Sequence, residues 1–166
     1  FEMDREAYER IFEFDFTRSF PFNLRKFKFF SYTFKSEVNQ VDENFINFLA
    51  SQASSLEELS LEFSSREILQ TIFTRLEKLS ILTLNSNSLP TDKEFYDQLN
   101  PLENLKEIYA DDRIPNEIAA MGLLGNCPNL EVLKVDCDPH EVISNILPFI
   151  AVENPKLRIM HIDTLK

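Results

Sequence analysis

The sequence predicts an α/β solenoid in which parallel strands form a concave sheet and helices return along the convex side. The main observation is a six-fold recurrence of the pattern apolar, two residues, apolar, one residue, apolar. The six occurrences are Leu24/Phe27/Phe29, Leu56/Leu59/Leu61, Leu79/Leu82/Leu84, Leu105/Ile108/Ala110, Leu130/Leu133/Val135 and Leu157/Met160/Ile162. Their first positions lie 32, 23, 26, 25 and 27 residues apart, which suits one strand and one returning helix per repeat. Because 166 residues of 43% apolar composition suffice for one core, we expect a single domain over residues 1–166.

Residues 1–21 are expected to form an atypical N-terminal strand region. Three phenylalanines alternate with acidic residues in Ile11–Thr17, which is typical of a strand with one buried face. Two interpretations stay open for this segment: the last strand of a truncated upstream repeat, or an added strand that covers the exposed end. Because the chain begins at Phe1 and the first repeat has no obvious polar cap, we expect a piece of a longer protein.

The first two helices are predicted from apolar residues that recur at three and four. The first covers about Asp42–Ser51, after a loop over Ser31–Gln40 whose aromatic residues either cap the core or form a protruding binding loop. Its inward side chains are expected to be Phe45, Phe48 and Leu49. The second covers about Arg66–Thr74, with Ser65 as N-cap.

Start signals also predict the third and fourth helices. The third follows Pro90, with Thr91 as N-cap and Glu94 completing a capping box. The fourth has Pro115 in its first turn and meets Gly125 where a C-cap is expected. Its side chains expected to face the core are Ile118, Met121 and Leu124.

Asp138, Pro139 and Glu141 specify the start of the fifth helix. They supply an N-cap, a proline at the first helical position and an acidic residue in the first turn. Pro148 is expected to end or kink this helix, since proline lacks the N–H group that the helix interior needs.

The composition narrows the classes of partner and compartment. With 28 acidic and 17 basic residues the net charge is −11, which disfavours nucleic acid and anionic membranes and favours a neutral or basic protein partner. No apolar run approaches the roughly 20 residues that span a bilayer, so we expect no membrane span. Cys127 and Cys137 flank a predicted strand too long for a disulfide, and no glycosylation sequon occurs. We therefore expect an intracellular location, cytoplasmic or nuclear.

Residue types that carry catalysis are sparse. His140 and His161 have no further ligand at a zinc-like spacing, and two glycines are too few for a phosphate-binding loop. We interpret the consecutive Asp111 and Asp112 as a turn and not as an acid and base pair. We accordingly expect no enzyme, no metal and no cofactor.

The run Asn126–Cys137 reads N-C-P-N-L-E-V-L-K-V-D-C. It resembles the core of the cysteine-containing class of leucine-rich repeats, found notably in F-box proteins. The runs Ser55–Leu61 and Asn154–Met160 are similar, and the resemblance covers roughly residues 22–166. It implies a leucine-rich-repeat solenoid, which in F-box proteins holds a substrate for ubiquitin transfer by a cullin-based ligase. Most repeats lack the cysteines, and no F-box is recognisable in this chain.

Strand residues that point away from the core are expected to line the concave face, because side chains alternate along a strand. Those predicted to bind a partner are Glu62, Ile81, Asn85, Glu107, Tyr109, Asp111, Val132, Lys134, Asp136, Ile159, His161 and Asp163. The carboxylates among them either reflect residue preferences at strand ends or form an acidic rail for Lys and Arg of a partner. The outward aliphatic residues and Tyr109 are expected to form an apolar patch.

Three functional hypotheses follow. The first is the substrate-binding part of an F-box-like ubiquitin-ligase receptor, whose ligase adaptor would bind a region outside this chain. The second is a scaffold or adaptor unrelated to ubiquitin. The third is an RNA-binding repeat domain, for which Lys26 and Lys28 lie in a basic cluster interleaved with aromatic residues.

Overall fold

A computed structural model describes residues 2–3, 23–29, 38–62, 65–85, 89–136 and 146–163. For residues 2–3, 38–42, 111–113, 136 and 163 it describes the backbone alone. The strand expected at Ile11–Thr17, the helix start expected at Asp138–Glu141 and Cys137 lie outside these ranges. All structural statements below concern the described residues.

The fold is α/β with one parallel sheet. The strands are β1 (Glu2–Met3), β2 (Lys26–Phe29), β3 (Glu58–Leu61), β4 (Ile81–Asn85), β5 (Glu107–Arg113), β6 (Val132–Asp136) and β7 (Ile159–Asp163). The helices are α1 (Val38–Ser51), α2 (Arg66–Arg75), α3 (Lys93–Tyr96), α4 (Glu117–Gly125) and α5 (Leu147–Glu153). The strands lie side by side in chain order and every neighbouring pair is parallel. The predicted α/β class and the parallel direction of the strands are confirmed.

The two-residue alternation sorts each strand between the core and an outer face. Leu59, Leu82, Ile108 and Leu133 are aligned in the register and are fully or almost fully buried. They belong to one apolar cluster that also contains the buried residues of the helices, so the helices pack on that side of the sheet. The opposite side of the sheet carries the intervening residues, which are half-buried or exposed.

The first helix begins earlier than expected. It starts at Val38, so Val38–Gln40 belong to α1 and not to the preceding loop. Phe45, Phe48 and Leu49 are buried as predicted. The ring of Phe48 packs 4.8 Å from that of Phe27, centroid to centroid, so aromatic packing ties α1 to β2.

The N-caps agree with the sequence in one case and differ in another. The Ser65 hydroxyl accepts the N–H of Ile68 at the start of α2, as expected. At α3 the cap is Asp92 and not Thr91, and its carboxylate accepts the N–H of Phe95. Asp92 is oriented for this by Arg66, whose guanidinium binds both carboxylate oxygens at 2.8 and 2.9 Å.

Helix α4 buries Leu124 as predicted, but not Ile118 or Met121. Ala119, Ala120, Leu123 and Leu124 are its buried residues, while Ile118 is 43% exposed. The sequence of α4 is apolar on nearly every side, so periodicity alone does not select the inward face. Met121 is half-buried, and Gly125 is the last helical residue while Asn126 is the C-cap.

The end or kink expected at Pro148 concerns a helix that starts near Asp138, and the residues before Ile146 lie outside the described ranges. Pro148 itself lies in the first turn of α5, which continues to Glu153. Proline is tolerated there because the first N–H groups of a helix have no partner within the helix.

Buried polar contacts join successive strand-helix units. Asn154 is almost completely buried, and its amide group donates to the carbonyl oxygens of Leu124 and Cys127 at 3.1 and 2.9 Å. The thiol of Cys127 is free and donates to the carbonyl of Leu123. Burial raises the pKa of this thiol. Within the described ranges no helix is long and apolar enough to cross a membrane.

Candidate interaction surface on the open face of the sheet

We define the open face as the side of the sheet opposite the helices. Its residues form two continuous rows because the register from β2 to β7 is regular over this part. The first row is Lys26, Glu58, Ile81, Glu107, Val132 and Ile159. The second row is Lys28, Ser60, Thr83, Tyr109, Lys134 and His161. Most predicted contact residues therefore share one surface.

Apolar residues on the open face cluster at one end. Val132 and Ile159 are register partners on β6 and β7, and Ile159 is 58% exposed. Ile81 is separated from this pair by Glu107 in the first row. The structure thus places a two-residue apolar patch at the β6–β7 end, beside the exposed Lys134 and His161 of the second row.

Polar contacts fix side chains in the first row. Lys26 and Glu58 form an ion pair at 2.5 Å on β2 and β3. The hydroxyl of Tyr109 donates to Glu107 Oε2 at 2.7 Å. Tyr109 and Glu107 are two residues apart on β5 and therefore lie on the same face. This contact orients the Tyr109 ring toward the first row.

The acidic rail is interrupted in the backbone register. Asn85 pairs with Asp111 and Asp136 pairs with Asp163, but the partner of Asp136 on β5 is Arg113. The register between β5 and β6 shifts between Ala110 and Arg113, so Asp111 is not the register partner of Asp136. The interpretation of Asp111 and Asp112 as a turn is wrong, because β5 continues through both to Arg113. Glu62 follows β3 and is half-buried.

Alternating charges border the open face where the strands begin. Arg25 binds Glu57 through two hydrogen bonds, at 3.1 and 2.6 Å, while Glu131 pairs with Lys106 at 3.8 Å and also with Arg158. We call these five residues the edge ladder. Sequence reasoning missed it, although each member directly follows the leading leucine of its repeat. The hydrogen bond with Arg25 lowers the pKa of Glu57 and raises that of Arg25.

The contact between Tyr109 and Glu107 makes a prediction about ionisation. The pKa of Tyr109 is raised by its hydrogen bond to Glu107, by burial, and by the charges of Glu107 and Glu58. We expect Glu107→Gln to lower this pKa, because it removes the carboxylate acceptor and its charge. The measurement is a titration of phenolate absorbance. The curve of Tyr109→Phe is subtracted from that of the chain with Tyr109, once with Glu107 and once with Glu107→Gln, so that each difference gives the titration of Tyr109.

The sign of the accompanying stability effect follows from linkage. Because the pKa of Tyr109 is raised in the folded state, its protonated hydroxyl stabilises the fold. This stabilisation is fully present below the unfolded pKa of about 10 and is lost as the pH rises through the folded pKa. An unchanged Tyr109 titration in Glu107→Gln would mean that the hydrogen bond does not form in solution.

The open face offers an apolar patch at one end, a tyrosine ring, and charges of both signs. Among the described residues, no group of three or more His, Cys, Asp or Glu side chains is placed to hold a metal ion. Comparisons with protein-family models, with curated proteins and with solved structures give no match to this chain.

Proposed function

We propose that this chain recognises a protein partner through the open face, as the concave face of a leucine-rich-repeat solenoid. The observation that carries the proposal is the side-by-side placement of Val132 and Ile159 next to the Tyr109 and Glu107 pair. Apolar side chains near an aromatic residue, with charges around them, are typical of the centre and rim of protein interfaces. Solenoids built from short repeats use such extended surfaces for binding.

A protein partner suits the charges better than RNA does. The net charge of −11 repels phosphate groups over most of the surface. The basic cluster near β2 is also partly neutralised, since Lys26 pairs with Glu58 and Arg25 with Glu57. An RNA-binding function would require a salt-sensitive affinity that falls on replacing Lys26 and Lys28.

The finer proposal is that the open face receives the substrate of an F-box-like ubiquitin ligase inside the cell, in the cytoplasm or nucleus. Its support is the resemblance of Asn126–Cys137 to the cysteine-containing repeats of F-box proteins. The ligase adaptor would then bind a region outside this chain. The competing proposal is a scaffold or adaptor that binds a neutral or basic protein without any link to ubiquitin.

The test is affinity capture from cells with the chain and two matched variants. Tyr109→Ala combined with Ile159→Lys changes the open face, while Val152→Lys changes an exposed residue of α5 on the helical side. We expect the first variant to lose the captured protein at unchanged thermal stability and the second to retain it. Equal capture by all three forms would exclude the open face as the binding surface.

The same experiment separates the two proposals on ubiquitin. The proteins captured with the full-length protein are searched for a cullin and its adaptor. Their presence together with an open-face partner supports the ligase receptor. An open-face partner captured without them supports the scaffold.

A further inference from the structure

A groove of about 500 Å3 lies on the helical side of the molecule, between α3, α4 and α5. Its apolar lining includes Tyr96, Leu99, Ile118, Met121 and Phe149. We call it the helix-side groove. Its volume is within the range of sites that accept a side chain or a small ligand.

Small residues and short helices leave this space open. Helix α3 is only four residues long, and α5 only seven. Gly122 and Gly125 line the groove without side chains of their own. The Tyr96 ring occupies the space where a Cβ of Gly122 would stand, and the Phe149 ring lies 3.3 Å from a Cβ position on Gly125. Two aromatic rings therefore pack directly on α4 and form the walls.

One exposed apolar side chain lines the helix-side groove. Among the described residues four large apolar side chains are exposed, and three of them belong to α4 and α5: Ile118, Leu147 and Val152. Ile118 lines the groove, whereas Leu147 and Val152 do not. An apolar wall that stays open to solvent favours an occupant with an apolar side chain.

The charged residues that line the groove indicate the charge of its occupant. Helices α4 and α5 contain no basic residue and one glutamate each. Of the described residues that line the groove, Lys93, Asp97 and Glu153 are charged, and Lys93 lies 3.4 Å from Asp97. Lys93 offsets the charge of Asp97, so the one basic and two acidic residues leave a net charge of −1 on the rim. A second copy of the chain is a poor occupant because each copy carries a net charge of −11.

We propose that the helix-side groove binds a cationic amphipathic segment of a partner protein. An aliphatic or aromatic anchor of that segment enters beside Ile118 and Met121, and its Lys or Arg side chains meet Asp97 and Glu153. This is the mode in which a helix places its apolar face in a groove and its charges on the rim. The site is separate from the open face and does not depend on the function proposed for it.

The probe is a synthetic peptide of leucine and lysine with helical spacing, titrated into the isotopically labelled chain and followed by amide NMR shifts. A peptide with glutamate in place of lysine is the matched control. We expect the lysine peptide to shift amides of α4 and α5 and the glutamate peptide to shift none. Equal binding of both peptides, or shifts confined to the open face, would overturn the proposal.

Two variants with the same charge change separate the groove from general attraction to an acidic protein. Ile118→Glu alters the groove wall, and Val152→Glu alters an exposed apolar residue outside the lining. We expect about tenfold weaker binding for Ile118→Glu than for Val152→Glu, which is about 1.4 kcal/mol. Equal affinities of the two variants for the lysine peptide would contradict a binding site in the groove. A dimer of the chain that Ile118→Glu dissociates and Val152→Glu does not would also contradict it.

A second pair of substitutions keeps the test valid if Ile118→Glu lowers the stability of the chain. Asp97→Asn with Glu153→Gln removes the rim carboxylates and leaves the apolar wall unchanged. We expect weaker binding of the lysine peptide and a smaller loss of affinity on adding salt. An unchanged affinity and salt dependence would show that these carboxylates do not meet the cationic side chains.

Discussion

Replacement of Leu82 by alanine should lower the free energy of unfolding by about 2–5 kcal/mol, the range for fully buried leucines. Leu82 has no exposed surface and lies on β4, in the middle of the sheet. Its register partners are Leu59 on β3 and Ile108 on β5, which are also fully buried. Because both neighbours are held in the sheet, the space left by the side chain cannot close easily, and the loss should fall in the upper half of that range.

The matched control is Ile81→Ala on the same strand. Ile81 precedes Leu82 and points to the open face, where it is half-buried. We expect this substitution to cost about 1 kcal/mol or less. The measurement is urea denaturation followed by far-ultraviolet circular dichroism, since the chain contains no tryptophan. Equal losses for Leu82→Ala and Ile81→Ala would contradict the assignment of the two faces.

The strands could be predicted because two independent features of the sequence agree. The apolar pattern recurs at a distance that fits a strand plus a helix, and within each recurrence the residues alternate between faces. Leu59, Leu82 and Leu133 are inward and Ile159 is outward, as the alternation predicts. A shift of one residue would have exposed the whole apolar set, so the register was strongly specified.

The features that were missed depend on contacts between distant residues. Local spacing predicts Thr91 as the N-cap of α3, but the cap is Asp92, which is oriented by Arg66, 26 residues earlier in the chain. The inward face of α4 is set by packing against Tyr96 at Gly122, and no local pattern contains that information. The two-residue period predicts Asp111 and Asp136 side by side, because the sequence carries no signal for the shift in register on β5.

The edge ladder lies outside the strands, so the alternation of side chains within the strands does not predict it. Its members each stand one position before a strand: Arg25, Glu57, Lys106, Glu131 and Arg158. Their spacing follows that of the leading leucines except in the third repeat, where Ser80 stands at this position. Because most of these side chains are largely exposed, the ladder specifies alignment of neighbouring strands more than it adds stability.

Gly122→Ala should destabilise the chain, against the ordinary preference of helices for alanine. In a helix interior the replacement of glycine by alanine usually stabilises by about 0.5–1 kcal/mol. At Gly122 the new Cβ would lie 2.2 Å from Cγ of Tyr96 and 2.4 and 2.7 Å from its Cδ atoms. The clash is with a buried ring whose hydroxyl also donates to the carbonyl of Pro90, so the ring cannot move freely. We expect a net loss of about 1–3 kcal/mol, typical of overpacking.

Gly125→Ala on the same helix is the control for this prediction. Its Cβ would meet only the Phe149 ring at 3.3 Å, a contact that a shift of a few tenths of an ångström relieves. We expect a change in the free energy of unfolding between about −0.5 and +0.5 kcal/mol, as for most surface substitutions. Combining Gly122→Ala with Tyr96→Ala should remove most of the penalty for the added methyl group, because the ring it strikes is gone. If Gly122→Ala instead stabilises the chain in the presence of Tyr96, the ring does not pack on α4, and the wall of the helix-side groove is not where the structure places it.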